Sequence, residues 1–335
     1  MATIKEIAAL ADTSISSVSR VINNSGYVRE EVRIRIQKVL DETGYRPNAL
    51  AKALHSKRSQ TIGVILPKIN ATSSSENIAG IDEYFDANGY NIILGNSSHS
   101  VKRELEYLDL FTEKQVDGII LIATTLTAEH REKFQKLGKP VVVMGQRTHD
   151  DAPCVLFDEA AAVETMVDHL VDWNHKNIAF IGVSEQDIAV GIDRKQGYLN
   201  GLQKHGLEQS DSLIVLGNFT IESGYNACKQ LIEEKKQTPD AIFAVNDKMA
   251  IGAVNYLIEH GYKIPQDISI CGVGGGEASA HYNPKITSLV YDFKESGRVS
   301  AELLHQMIEK KGCDLKGHVS FVPFHLAVRE STIKR

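Results

Sequence analysis

The chain reads as an all-α head followed by an α/β core of two doubly wound, parallel-sheet subdomains. Three observations carry that reading. Apolar residues in the first sixty positions recur at helical spacing. From residue 60 onward, short apolar runs alternate with helical stretches, most of them 22–35 residues apart, the period of βαβ units. The runs are also too many for one comfortable open sheet, and a helical pattern over Ala160–Trp173 separates two sets. A length of 335 residues suits more than one domain, and 42% hydrophobic with 24% charged residues excludes a disordered or fibrous chain.

The head begins with Ile4, Ile7, Ala8 and Ala11, one apolar face of a first helix. Thr13 and Ser14 are N-cap residues for a second helix that turns Val18, Val21 and Ile22 inward and stops at Asn23-Asn24-Ser25-Gly26. A third helix starts near Arg29, carries Glu30 and Glu31 in its first turn, buries Val32, Ile36, Val39 and Leu40, and ends at Gly44. The first two helices are joined by about three residues, which fits a helix-turn-helix. Its second helix points Ile15, Ser16, Ser17, Ser19 and Arg20 away from the core, where short hydroxyls approach phosphates and Arg20 suits a bidentate contact to guanine. Charge agrees: residues 1–60 hold ten Lys/Arg against six Asp/Glu, although the whole chain carries −6. A generic three-helix core with a polar face is the plainer alternative.

Ile4-Lys5-Glu6-Ile7-Ala8, then Ser14 to Asn23, then Tyr45-Arg46-Pro47-Asn48-Ala49-Leu50-Ala51 resemble the LacI/GalR family of bacterial transcription regulators in wording, spacing and order. The resemblance implies that Ile15, Ser16 and Arg20 read bases while Thr3, Ser14, Ser19 and Asn23 hold phosphates. Pro47 favours a first helical turn, but the following seven residues are too few for a stable isolated helix. In the family such a segment is a hinge helix that enters the minor groove and wedges a leucine into a base step. Leu54 sits at the matching position, with Asn48 and Ala51 on the same segment. A plain linker is the alternative.

In the core the apolar runs are Thr61–Leu66, Tyr90–Leu94, Gly118–Ile122, Pro140–Met144, Asn177–Gly182, Ser212–Leu216, Ala241–Val245 and Ile268–Val273, with a last strand at Val319–Phe324. Ligands bind outside the carboxyl ends of such strands, so the loops after these runs should line a cleft between the subdomains. The resemblance spans this region and implies a periplasmic-binding-protein-like effector core crossed three times, near Asp158, Phe293 and Lys316. The expected division is therefore 1–46 for the helix-turn-helix head and 47–59 for hinge helix and linker. Residues 60–157 and 293–316 form the first effector subdomain, and 158–292 and 317–335 the second.

Sugar recognition needs planar polar groups for hydroxyls and an aromatic face for C–H surface. The loop after the first run offers Lys68, Asn70, Ser73 and Glu76; Asn96, with Ser97 and Ser98, follows the second and Gln146 the fourth. Asp187 and Arg194 follow Ile181-Gly182, and Asn246 and Asp247 follow Val245. The resemblance implies that Arg194 and Asn246 grip effector hydroxyls and that Phe219 stacks on the sugar. Asp247 fits a helix cap better than a ligand, and caps or turns are the plainer reading of every hydroxyl and amide here. Many family members carry an acidic ligand after the strand ending at Gly272-Val273, but this chain has Gly274-Gly275-Gly276-Glu277. Glycine lets a backbone approach a ligand closely, so Gly275 joins the candidates, as does Phe293 at a crossing. The run fails the dinucleotide fingerprint, which rules against a nucleotide site. Together with Asp187–Gly191 and Arg194–Tyr198, it resembles the sucrose-operon repressors of the family, and less closely the trehalose repressors.

The expectation is a homodimeric repressor that binds pseudo-palindromic double-stranded operator DNA and is released by a small saccharide or sugar phosphate. A global regulator answering a phosphoprotein is the alternative, and a transport sugar-binding protein a remote one. No HExxH, Gly-x-Ser-x-Gly or metal-ligand spacing supports an enzyme, and neither cofactor nor metal is expected. The start lacks the layout of a secretory signal, and Cys154, Cys228, Cys271 and Cys313 form no CxxC, so reduced cytosolic thiols are expected. No membrane contact is expected, and without a heptad tail a dimer is expected over a tetramer.

Overall fold

A computed structural model describes residues 2–22, 24–45, 58–149, 151–310 and 315–335. The chain divides into two compact units, Met1–Gln60 and Thr61–Arg335.

In the first unit, α1 (Ile4–Leu10), α2 (Ile15–Ile22) and α3 (Glu30–Thr43) follow the expected pattern. Ile7, Ala8, Ala11, Val18, Val21 and Ile36 close a small apolar core. Gly44 ends α3 in the left-handed conformation, and its N–H donates to the Leu40 carbonyl. The hinge segment, with Asn48, Ala51 and Leu54, lies outside the described residues, as do Asn23 and Cys313.

The second unit holds two six-stranded sheets. In the first, β1 (Thr61–Leu66), β2 (Asn91–Asn96), β3 (Gly118–Ile122), β4 (Val141–Met144) and β5 (Cys154–Leu156) run parallel in the order β2-β1-β3-β4-β5, and β11 (Val319–Phe321) adds a parallel edge beside β5. The second repeats the order with β6 (Ile178–Gly182), β7 (Ile214–Leu216), β8 (Ala241–Ala244), β9 (Ser269–Gly274) and β10 (Thr287–Tyr291), closed by the antiparallel β12 (Phe324–Ala327). Central strands such as β1 and β8 are continuous apolar runs because helices cover both faces.

The connecting helices are α4 (Thr72–Ala87), α5 (Val101–Glu113), α6 (Ala128–Lys136), α7 (Glu159–Asp172), α8 (Arg194–Lys204), α9 (Ile221–Lys229), α10 (Asp247–Glu259), the short α11 (Glu277–Ala280) and α12 (Phe293–Glu309). A wide turn over Ile188–Asp193 leads into α8. Two helix pairs touch through glycines. A Cβ at Gly80 of α4 would lie 1.9 Å from the Lys294 carbonyl oxygen of α12, and one at Gly252 of α10 would lie 2.0 Å from that of Ile221 on α9.

The chain passes to the second sheet after β5 and returns after β10. The third crossing corrects the expectation of one near Lys316. Val319 pairs with Cys154 in the first sheet and Phe324 with Tyr291 in the second, so the chain crosses at Val322-Pro323. The apolar run expected as one strand at Val319–Phe324 is therefore the end of one strand and the start of another. Proline has no N–H to give a ladder, which suits it to the junction. Cys154, Cys228 and Cys271 are free and buried. Among the described residues no helix is long and apolar enough to cross a membrane.

Candidate functional site: recognition helix and inter-subdomain cleft

On the head, Thr3 and Glu6 form a reciprocal cap at the start of α1, and the Thr3 N–H and hydroxyl hold the Glu6 carboxyl below its ordinary range. The Ser14 hydroxyl accepts the Ser17 N–H at 3.2 Å, so Ser14 caps α2. With Val18 and Val21 buried, α2 leaves Ile15, Ser16 and Arg20 exposed and Ser19 half-buried. A Cβ at Gly26, whose φ is +69°, would lie 3.5 Å from Arg20 Cδ, so the Arg20 stem runs along the turn that ends α2. An exposed cation on a stem braced by backbone is suited to a base edge.

In the second unit, loops at the carboxyl ends of the two sheets face one another. On the first subdomain's side, Lys68 and Asn70 are exposed after β1, and Ser73 and Glu76 are half-buried on α4. Burial raises the Glu76 carboxyl above its ordinary range, and the Asp292 charge adds to the effect. Asn96 ends β2. Its amide donates to the Ser98 hydroxyl at 3.2 Å, while its buried Oδ1 has no hydrogen-bond partner. Gln146 is buried and donates to the Thr124 carbonyl at 2.8 Å.

The second subdomain's side is more tightly tied. Arg194 is buried at the start of α8. Its Nε and Nη2 donate to the Glu159 carboxylate at 2.7 and 3.1 Å, and Nη1 donates to the Val245 carbonyl. The guanidinium also lies 5.4 Å from the centre of the Tyr291 ring, and the Tyr291 hydroxyl donates to Glu159 at 2.5 Å. Burial alone would depress the Arg194 pKa, but the Glu159 carboxylate outweighs it and pushes the value up. Tyr291 stacks on Phe157 with centroids 4.4 Å apart, and Phe293 meets Phe157 edge-on at 5.5 Å. The first two crossings therefore share an aromatic joint, and that is where Phe293 sits.

Asn246 is the N-cap of α10: its Oδ1 accepts the Met249 N–H at 2.8 Å and its amide donates to the Phe219 carbonyl at 3.3 Å. The cap expected at Asp247 belongs to Asn246. Asp247 is buried beneath the glycine run instead, accepting the Ser288 and Ser279 hydroxyls, each at 2.6 Å, and the Gly276 N–H at 3.2 Å. Gly275 has φ +70°, donates its N–H to Ser288 Oγ at 3.0 Å, and would place a Cβ 2.5 Å from Val290. Backbone conformation and packing thus account for that glycine. Gly276 differs, because φ −63° suits any residue, yet a Cβ there would meet Thr72 of α4 at 3.7 Å. The two sides come close at this point.

Asp187 caps the turn ahead of α8 by accepting the Val190 N–H at 3.1 Å. Burial raises its pKa, and Glu159 adds to that, while the Val190 bond, Arg194 and the opposed His99 pull it down. Phe219 is half-buried with φ +69°. The structure thus brings most candidates to the cleft, but Arg194 and Asn246 have internal partners. Sequence reasoning missed Glu159, Tyr291, His99 and Arg147. Glu159 sits in a helix first turn, where an acid is ordinary, so only the pairing reveals it. Among the described residues, no group of His, Cys, Asp or Glu is arranged to hold a metal ion.

Two family models match: bacterial regulatory proteins of the lacI family over residues 3–48, and a periplasmic binding protein-like domain over 167–332. Catabolite control protein A of Priestia megaterium is 34% identical over 98% of this chain and 99% of its own. The sucrose operon repressor of Staphylococcus xylosus is 32% identical over 92% and 94%. A crystal structure of the lac repressor dimer bound to operator and the anti-inducer ONPF has the same fold, with TM-score 0.90, 23% identity and 99% of both chains covered. These relatives are transcriptional regulators rather than enzymes, and the chain belongs to the lacI family of DNA-binding bacterial regulatory proteins.

Proposed function

We propose that the chain is a dimeric repressor of sugar-utilisation genes, released from a pseudo-palindromic operator when a small saccharide occupies the cleft. The observation that carries this reading is the pairing of an exposed Ile15-Ser16-Arg20 face with a cleft wall ending in the unpartnered Asn96 Oδ1. Ile15, Ser16 and Arg20 would read bases in the major groove, with Thr3, Ser14 and Ser19 at phosphates. In the cleft, Asn96, Asn70, Lys68, Ser73 and Glu76 face the sugar from the first side, with Asp187 and Phe219 on the second. Arg194 and Asn246 shape the second wall rather than grip hydroxyls. Sugar binding favours one cleft geometry, and the coupling to operator affinity is typically about 1–3 kcal/mol, or roughly 5–150-fold.

Fluorescence anisotropy on DNA from the chain's own promoter, at fixed salt, tests this with sucrose, fructose and trehalose. Release by one sugar is expected. Tight binding that no sugar alters would overturn the effector reading. It would favour the second reading, a regulator answering a phosphoprotein, which the 34% identity to a catabolite control protein supports.

A further inference from the structure

Resting on that reading of the cleft, we infer that the effector is an uncharged polyol and that the site discriminates against phosphate esters. The obvious anion-binding group is already used. Arg194 spends its donors on Glu159 and the Val245 carbonyl, and its face lies against Tyr291. A phosphate could recruit it only by displacing a bidentate carboxylate in a buried setting, where the Arg–carboxylate pair is strong.

The backbone donors are used as well. The N–H groups of Gly275 and Gly276 turn inward to Ser288 and Asp247, so the glycine run forms no phosphate cradle. On the second side Asp158 caps α7, Asp187 the turn ahead of α8, Thr220 α9 and Asn246 α10, while the short α11 starts after Gly276 without a side-chain cap; Asp292 caps α12, which returns to the first sheet. Three of these caps are carboxylates at positions where an anion would otherwise be drawn by the helix dipole.

The charge that remains is acidic on the second side. Asp193 has Asp158, Glu159 and Asp187 within electrostatic reach, and Asp292 faces Glu76. From the first side His99 faces Asp187 and Arg147 faces Asp193. Hydroxyl groups suit such a wall, since a carboxylate accepts from them and an amide such as Asn96 serves as donor or acceptor. On the first side the start of α4 runs the other way, for Ala71 provides no side-chain cap and Lys68 is exposed nearby.

Isothermal titration of the full-length protein with matched pairs tests the inference: sucrose against sucrose 6-phosphate, and fructose against fructose 1-phosphate. Like-charge juxtaposition disfavours the phosphate, so the ester should bind at least about tenfold more weakly than its parent sugar. Asp187→Asn, which keeps a capping side chain, should narrow that gap severalfold. An ester binding as tightly as its parent, or more tightly, would overturn the inference and leave the cleft reading standing. Loss of that tight binding in Lys68→Ala would then place the phosphate at the start of α4. Binding of no member of either pair, with operator binding intact, would overturn both the cleft reading and the inference.

Discussion

The two walls of the cleft come from sheets of the same strand order, yet they are finished differently. On the second wall, Arg194, Glu159 and Tyr291 form one buried cluster, and Asp247 with Ser279, Ser288 and Gly276 forms another. On the first, Lys68, Asn70 and Ser98 are exposed, and Asn96 leaves an acceptor without a partner. A polar group that is buried and satisfied maintains shape, whereas one left unsatisfied or exposed at a cleft is available to a ligand. The second wall is thus largely preformed, with its polar side chains tied to one another, and the first keeps more polar groups without internal partners.

The sharpest way to break that contrast is Glu159→Ala. It strands a buried guanidinium, which costs about 3–5 kcal/mol. Urea unfolding should show the loss, and the double variant Glu159→Ala/Arg194→Met should recover much of it by removing the unpaired charge. If Arg194→Met alone destroyed sugar binding at unchanged stability, Arg194 would be a ligand after all and the second wall would be misread.

Asp247→Ala comes next. It removes the acceptor shared by two hydroxyls and one N–H; Ser279 keeps the Gly276 carbonyl at 2.8 Å and Ser288 the Leu289 carbonyl at 3.3 Å, but the Gly276 N–H is stranded, which costs about 1–3 kcal/mol. The glycine run should loosen, so sugar should lose its effect on operator release while the sugar-free protein still binds DNA. A variant that unfolds no more easily and responds normally would show that Asp247 does not organise the run.

Arg20→Ala moves the test to the exposed head. The loss should be about 1–3 kcal/mol of operator affinity, concentrated at one base pair, with the melting temperature unchanged. A uniform loss across all sequences, with a shallower salt dependence, would reassign Arg20 to a phosphate.

How far these roles could be read from sequence follows from burial. Strands β1, β3 and β8 stand out because parallel central strands are apolar throughout. Strand β10 escapes because it opens with Thr287 and Ser288, both buried, and Ser288 is there for Asp247. Strand β5 is three residues long, too short for any period to show. Pro323 is the one signal that could have moved the third crossing off Lys316. Asn246 and Asp247 are adjacent and chemically close, so only geometry tells the helix cap from the loop organiser. The recognition helix was legible because its face is set by one helical period.

Asn96→Ala is expected to change stability little, and it separates the two walls most cleanly. The variant deletes a buried oxygen that has no partner and one amide bond to Ser98. Removing an unsatisfied acceptor relieves a desolvation penalty, which offsets the lost bond, so stability should change by less than about 0.5 kcal/mol. Sugar affinity should nonetheless fall, because that oxygen is the acceptor the first wall holds open. A variant less stable by more than this, with sugar binding unchanged, would place Asn96 among the groups that merely maintain shape and would erase the distinction between the walls.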